Sequence, residues 1–184
     1  MPPARGTPRR ATLTAITRPR RRANPGAPVS KVQPIPDGYP RLCPYVFVRR
    51  AAEAIEFYTS VLGFEQRGDR LTGPDGRIGH AELAAGDSVL MIADEHPEVG
   101  ARSPQTVGGS PVLLNLYVAD VDAVWAAALA AGALELRPLK NQFYGDRSGT
   151  FEDPWGHRWT VASHVEDVSP QQMAARAKAA MGGN

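Results

Sequence analysis

Apolar positions along the chain fall into two similar runs separated by a polar stretch. In the first run, Leu42–Val48 is a short continuous apolar segment suited to a buried strand. Ala51, Ile55, Tyr58 and Leu62 then recur at helical spacing, and Gly63 ends the helix. Strands are predicted over Phe64–Leu71, Arg77–Ala84 and Ser88–Ala93. They are punctuated by Gly73-Pro74-Asp75-Gly76 and Ala85-Gly86-Asp87. Residues 94–110 are polar and contain Gly and Pro, as a linker would. In the second run, Pro111–Val118 is a strand and Asp120 an N-cap. Val121, Val124, Trp125, Ala128 and Leu129 mark an amphipathic helix that Gly132 stops. Strands over Ala133–Lys140, Asp146–Glu152 and His157–Ser163 follow, with a loop at 141–145 and a turn at 153–156. Ser169-Pro170-Gln171-Gln172 then opens a C-terminal helix with a capping box.

The two runs are a repeat. At an offset of 70, Val48 matches Val118, Ile55 matches Trp125 and Gly86 matches Gly156. Each half reads strand, helix, three strands, which is a βαβββ module. Neither half can bury both faces of its sheet alone. The expected fold is therefore α+β: two tandem βαβββ modules forming a curved, half-barrel sheet around a cavity, with helices on the outer face. Module one spans 40–94, the linker 95–110 and module two 111–165, within a domain of 39–168. Residues 169–184 form a short helix and tail.

Charge separates a further segment. Residues 1–40 hold seven Arg, Lys31 and one acid, Asp37, so 8 − 1 = +7, and the whole chain carries +2. The remaining residues therefore carry 2 − 7 = −5, so the basic character belongs to the start of the chain. Residues 1–38 read as a disordered Arg/Pro-rich extension, with a transit peptide or nonspecific phosphate contacts as competing readings. No specific nucleic-acid partner is expected. No apolar run is long enough to span a bilayer. Cys43 is the single cysteine, which excludes an intrachain disulfide and a cysteine-rich zinc site, and fits a cytoplasmic location.

Tyr45-Val-Phe-Val-Arg-Arg-Ala-Ala-Glu-Ala-Ile-Glu-Phe-Tyr-Thr-Ser-Val-Leu-Gly-Phe64 resembles the opening strand and helix of the vicinal oxygen chelate superfamily, which holds the glyoxalase, bleomycin resistance and extradiol dioxygenase proteins. His80-Ala-Glu-Leu and Gln142-Phe-Tyr-Gly-Asp-Arg-Ser-Gly-Thr-Phe-Glu-Asp-Pro-Trp-Gly-His157 are similar to its phosphonate-operon-B-like, glyoxalase-like branch. The resemblance covers about residues 40–168. It implies the paired-module fold, a small-molecule cavity and a homodimer. It does not imply one reaction.

Metal-dependent members place His or Glu on the first and fourth strands of each module. Those positions become Cys43, Leu113, Leu90 or Met91, and Thr160, and none is a His or a carboxylate. The usual metal constellation is thus not expected and no cofactor is called for, although a divalent metal on other donors stays open. His80 and Glu82 lie two apart on one strand and share a face. The repeat pairs Glu82 with Glu152 and His80 with Thr150. These residues could form an acid/base pair, a noncanonical metal site or a hydrogen-bonded wall. The same alternation turns Tyr45, Phe47, Asn115, Tyr117, Arg158 and Thr160 to the cavity, and Val112, Leu114, Leu116 and Val118 to the helices. Phe143, Tyr144 and Arg147 add recognition chemistry in the segment Gln142–Arg147, which leads into the seventh strand, and Arg147 could meet an anionic ligand or bridge Asp146 or Glu152. Two functions follow: a small-molecule-binding protein without the usual metal, or a glyoxalase-like lyase or isomerase using His80 and Glu82.

Overall fold

The computed structural model describes residues 32–181, so most of the basic extension and the last three residues lie outside the described residues. Module one comprises β1 (Tyr45–Val48), α1 (Ala51–Ser60), β2 (Glu65–Thr72), β3 (Ile78–Ala85) and β4 (Ser88–Asp94). The linker is less featureless than its composition suggested: it holds a 3-10 turn at Pro97–Val99 and a short helix, α2 (Pro104–Val107). Module two comprises β5 (Leu113–Tyr117), α3 (Val121–Ala130), β6 (Leu134–Asn141), β7 (Asp146–Glu152) and β8 (Arg158–His164), and α4 (Pro170–Met181) follows. The fold is α+β with tandem βαβββ modules. Each module forms an open four-stranded sheet, in the orders β1-β4-β3-β2 and β5-β8-β7-β6. The first strand of each module pairs parallel to the last, as a crossover helix requires.

Local chemistry fixes these elements. The buried Asp94 carboxylate accepts the Ala51 N–H and the Ile78 N–H, both at 2.8 Å, tying the start of α1 to the start of β3. The Asp120 side chain caps α3 by accepting the Ala123 N–H at 3.0 Å. A Cβ on Gly149 of β7 would lie 2.5 Å from the Trp125 ring, so only glycine lets α3 settle this close to its sheet. Ser169 and Gln172 form the expected capping box on α4.

Strand alternation then sorts the side chains. Val46, Val48, Leu83 and Ile92 of module one and Phe151, Trp159 and Val161 of module two point toward the helices and are buried. The modules share this core. Phe57 and Tyr58 on α1 pack edge-on against Trp155, and Trp125 packs on Phe151. At the junction the buried Asp153 carboxylate accepts four hydrogen bonds: from the Tyr58 hydroxyl (2.6 Å), the Trp159 indole (2.9 Å), and the Trp155 and His157 N–H groups (2.9 Å each). Tyr58 is thereby driven well above its ordinary value, first by burial and then by the adjacent carboxylate. With both helices and one face of each sheet used in this core, the opposite sheet faces are left to solvent.

Candidate functional site in the open sheet faces

On module one the open face carries Tyr45 and Phe47 from β1, His80 and Glu82 from β3, and Met91 from β4. The registers Tyr45↔Met91 and Glu82↔Met91 place them side by side. The Tyr45 and Phe47 rings stack at 5.1 Å between centroids, and the His80 ring lies 5.6 Å from Tyr45. His80 is held at both nitrogens, with Nδ1 3.0 Å from the Tyr45 hydroxyl and Nε2 3.3 Å from Glu82. One neutral tautomer satisfies both contacts, accepting from the phenol and donating to the carboxylate.

A residue the sequence reading did not single out completes the cluster. Tyr39, in the arm before β1, donates its hydroxyl to the Glu82 carboxylate, 2.8 Å from each oxygen. Arg67 on β2 lies over the Tyr39 ring at 4.5 Å and 3.8 Å from Glu82. Burial would raise the Glu82 carboxyl, but hydrogen bonds from Tyr39 and His80 and the Arg67 charge outweigh it and hold it below the usual range. Bonding to that carboxylate raises the Tyr39 phenol, and burial raises Tyr45. No local motif announces Tyr39, since its position depends on the arm folding back.

On module two the open face carries Leu113, Asn115 and Tyr117 (β5), Arg158 and Thr160 (β8), and Ser148, Thr150 and Glu152 (β7). Thr150 and Thr160 are bonded at 2.9 Å, and Arg158 pairs with Glu152 at 3.3 Å. At one end Tyr117 donates to Asp146 (2.7 Å), and His164 bridges Asp146 (2.8 Å) and Asp167 (3.0 Å). The Asp146 and Asp167 bonds raise the His164 imidazole, and the Asp146 bond raises Tyr117. Tyr144 reaches this face, its hydroxyl 3.4 Å from that of Ser148. Phe143 packs edge-on against Tyr144, and its carbonyl accepts from Arg176 of α4.

Arg147 is placed differently. It lies on the opposite face of β7 from Asp146 and Ser148 and forms a two-pronged ion pair with Asp122 of α3, at 2.6 and 2.8 Å. It bridges neither Asp146 nor Glu152. Val112 also departs from its expected place, lying exposed just before β5, whereas Leu114, Leu116 and Val118 pack on the core.

Two cavities lie on module two's open face and a third beside its helix side. One of about 470 Å³ sits on module two's open face and includes Asn115, Tyr144, Thr150 and Thr160. One of about 340 Å³ adjoins it and includes Arg158. The largest, about 960 Å³, runs beside β5 between the end of α1, the β3–β4 turn and α3, and touches Tyr117. The positions implied as metal ligands carry Leu113, Met91 and Thr160, with Cys43 ahead of β1, its thiol 3.5 Å from the Pro40 carbonyl. That donor set does not suit a divalent ion, which takes imidazole nitrogen or carboxylate oxygen here. Among the described residues no three His, Cys, Asp or Glu side chains are grouped as a metal site requires. Among them too, no helix is long and apolar enough to cross a membrane.

Comparison with known proteins places this geometry. The model of the Glyoxalase/Bleomycin resistance protein/Dioxygenase superfamily matches residues 41–161. An uncharacterized protein of Mycobacterium tuberculosis strain H37Rv is 39% identical over 139 residues, which is 74% of this chain and 81% of the relative. Protein PA1353 from Pseudomonas aeruginosa has a similar structure, with a TM-score of 0.56 at 24% identity over 68% of this chain and 98% of that one. TioX from Micromonospora sp. ML1 gives a TM-score of 0.53 at 24% identity, over 67% and 98%. Both structures bear on the fold alone.

Proposed function

The chain belongs to the glyoxalase/bleomycin resistance protein/dioxygenase superfamily, and from that premise we propose that it is a small-molecule-binding protein, holding an organic ligand on its open sheet faces without the usual metal. The observation that carries this reading is the content of those faces. Tyr45 (41% exposed) and Tyr117 (65%) stand in solvent beside hydroxyls, an amide and an imidazole, while the opposite faces carry the apolar core. Aromatic surface with a few fixed polar groups suits a planar or amphipathic ligand. The exposed apolar side chains Leu113 and Leu134 on module two's sheet favour a homodimer that covers part of them. The protein is taken to work in the cytoplasm.

Metal analysis of protein purified without chelators tests the metal-free reading. Stoichiometric Zn, Ni, Mn or Fe that disappears in Glu82→Ala would sink it. A second reading rests on the hydrogen-bonded chain Tyr39–Glu82–His80–Tyr45, which could move a proton in a lyase or isomerase. Turnover abolished by both His80→Ala and Glu82→Gln would replace binding with catalysis.

A further inference from the structure

The wall of module two has a charge character that its sequence pattern did not advertise. The 470 Å³ cavity is lined by two cations, Arg137 and Lys140, and by no carboxylate. Arg137 and Thr150 also line the adjoining 340 Å³ cavity, so Arg137 stands where the two join. Most other arginines on the two modules are committed, with Arg49, Arg50, Arg67, Arg77, Arg147 and Arg158 all in ion pairs. Among the described residues Arg137 and Lys140 have no such partner, and residues 1–31 and 182–184 contain no acidic side chain that could supply one.

Strand register explains the arrangement. Arg137 is the β6 partner of Thr150, and Lys140 that of Ser148, with a register shift between them around Pro138. Two cations therefore flank two hydroxyl-bearing positions of β7. The Tyr144 and Ser148 hydroxyls are only loosely engaged with each other, at 3.4 Å, and can turn to a ligand oxygen. Module one offers the opposite environment, with the ionised Glu82 at the centre of its face.

We propose that the trough on module two's open face binds a small organic anion, a compound carrying a carboxylate, sulfate or phosphate, with Arg137 and Lys140 as its counter-charges and the β7 hydroxyls as additional donors. The cavity has the size of a small-ligand site. Charge-assisted hydrogen bonds from a guanidinium and an ammonium supply the discrimination. This deepens the binding reading above and rests on it.

Phenyl phosphate, benzoate and benzyl alcohol, titrated separately into the full chain at low salt and followed by amide NMR shifts, test the assignment. The two anions are expected to bind about tenfold more tightly than the neutral alcohol and to shift amides of β6 and β7. Their ranking shows which oxyanion is preferred. The double variant Arg137→Gln/Lys140→Gln should erase the advantage with an unchanged melting temperature, because both side chains are exposed. Added salt should narrow the gap. Equal affinity for all three probes, no binding of either anion, or a preference that survives the double substitution overturns the proposal. Equal binding leaves the small-molecule reading standing, whereas a stoichiometric metal or turnover would remove that reading separately.

Discussion

Replacing Asp153 should be among the most damaging single changes in this fold. Its carboxylate accepts from Tyr58 of module one and from Trp159, Trp155 and His157 of module two, and it is 4% exposed. Asp153→Ala removes every acceptor at once. The Tyr58 hydroxyl and the Trp159 indole N–H are left unpaired in an apolar interior, each costing about 1–3 kcal/mol. Loosening of the turn adds to this, for a total of about 4 kcal/mol. For a chain of this size that is a fall of about 10 °C in melting temperature. Asp153→Asn keeps one acceptor oxygen and should lose about half as much. Tyr58→Phe removes one donor and leaves three bonds, so it should cost about 1 kcal/mol. Urea unfolding followed by Trp fluorescence reads all three, since Trp155 and Trp159 sit at the junction. A loss below about 1 kcal/mol in Asp153→Ala, or a larger loss in Tyr58→Phe, would refute the idea that this carboxylate joins the modules.

Two further effects depend on pH. Burial alone would raise the Glu95 carboxyl, but hydrogen bonds from Thr106, the Ser103 N–H and Arg49 overcome it and hold it at about 2. Its stabilisation is present above the unfolded value of 4.5 and is lost as pH falls from there toward about 2. Discounted for the exposed Arg49, it amounts to about 1 kcal/mol, and Glu95→Gln should flatten the urea midpoint between pH 5 and 3. An unchanged slope would count against the network. His164 shifts the other way: its bonds to Asp146 and Asp167 raise it, so their stabilisation is present below 6.5 and is lost as pH rises through the folded value. An NMR titration should place its midpoint above 6.5 and Asp146→Asn should lower it; a midpoint unmoved by that substitution would show that the Asp146 contact does not form in solution.

The fold could be read from the chain because it depends on short-range signals. The 70-residue repeat, the helical spacing of Ile55 and Tyr58, and the turn at Asp153-Pro154-Trp155-Gly156 each reappear as a module, a helix and a hairpin. The grouping of His80 with Glu82 followed from alternation alone. Alternation also held the answer for Arg147, because a strand that turns Thr150 and Glu152 to the open face turns Arg147 away from it. Treating Arg147 as a loop residue hid this. Three features had no local signal. Tyr39 reaches Glu82 across 43 residues, and Tyr58 reaches Asp153 across 95. Arg137 and Lys140 meet in one cavity without a carboxylate beside them, and that depends on which side chains of β5, β7 and β8 line it.

The sheet orders carry a consequence for how this protein avoids polymerising. Each sheet has two unpaired borders, and any exposed backbone border can recruit a foreign strand. The outer ones, β2 and β6, are both broken by register shifts, at Arg67/Leu71 and at Arg137/Lys140. β6 also carries Pro138, which offers no N–H, and β2 carries Glu65, Asp69 and Arg70. Fibril-like growth is therefore blocked on those two sides. The borders without such irregularity are β1 and β5, four and five residues long, too short to template a long cross-strand stack. Two modules in one chain double the strand border of one, and both outer strands are interrupted in the same way.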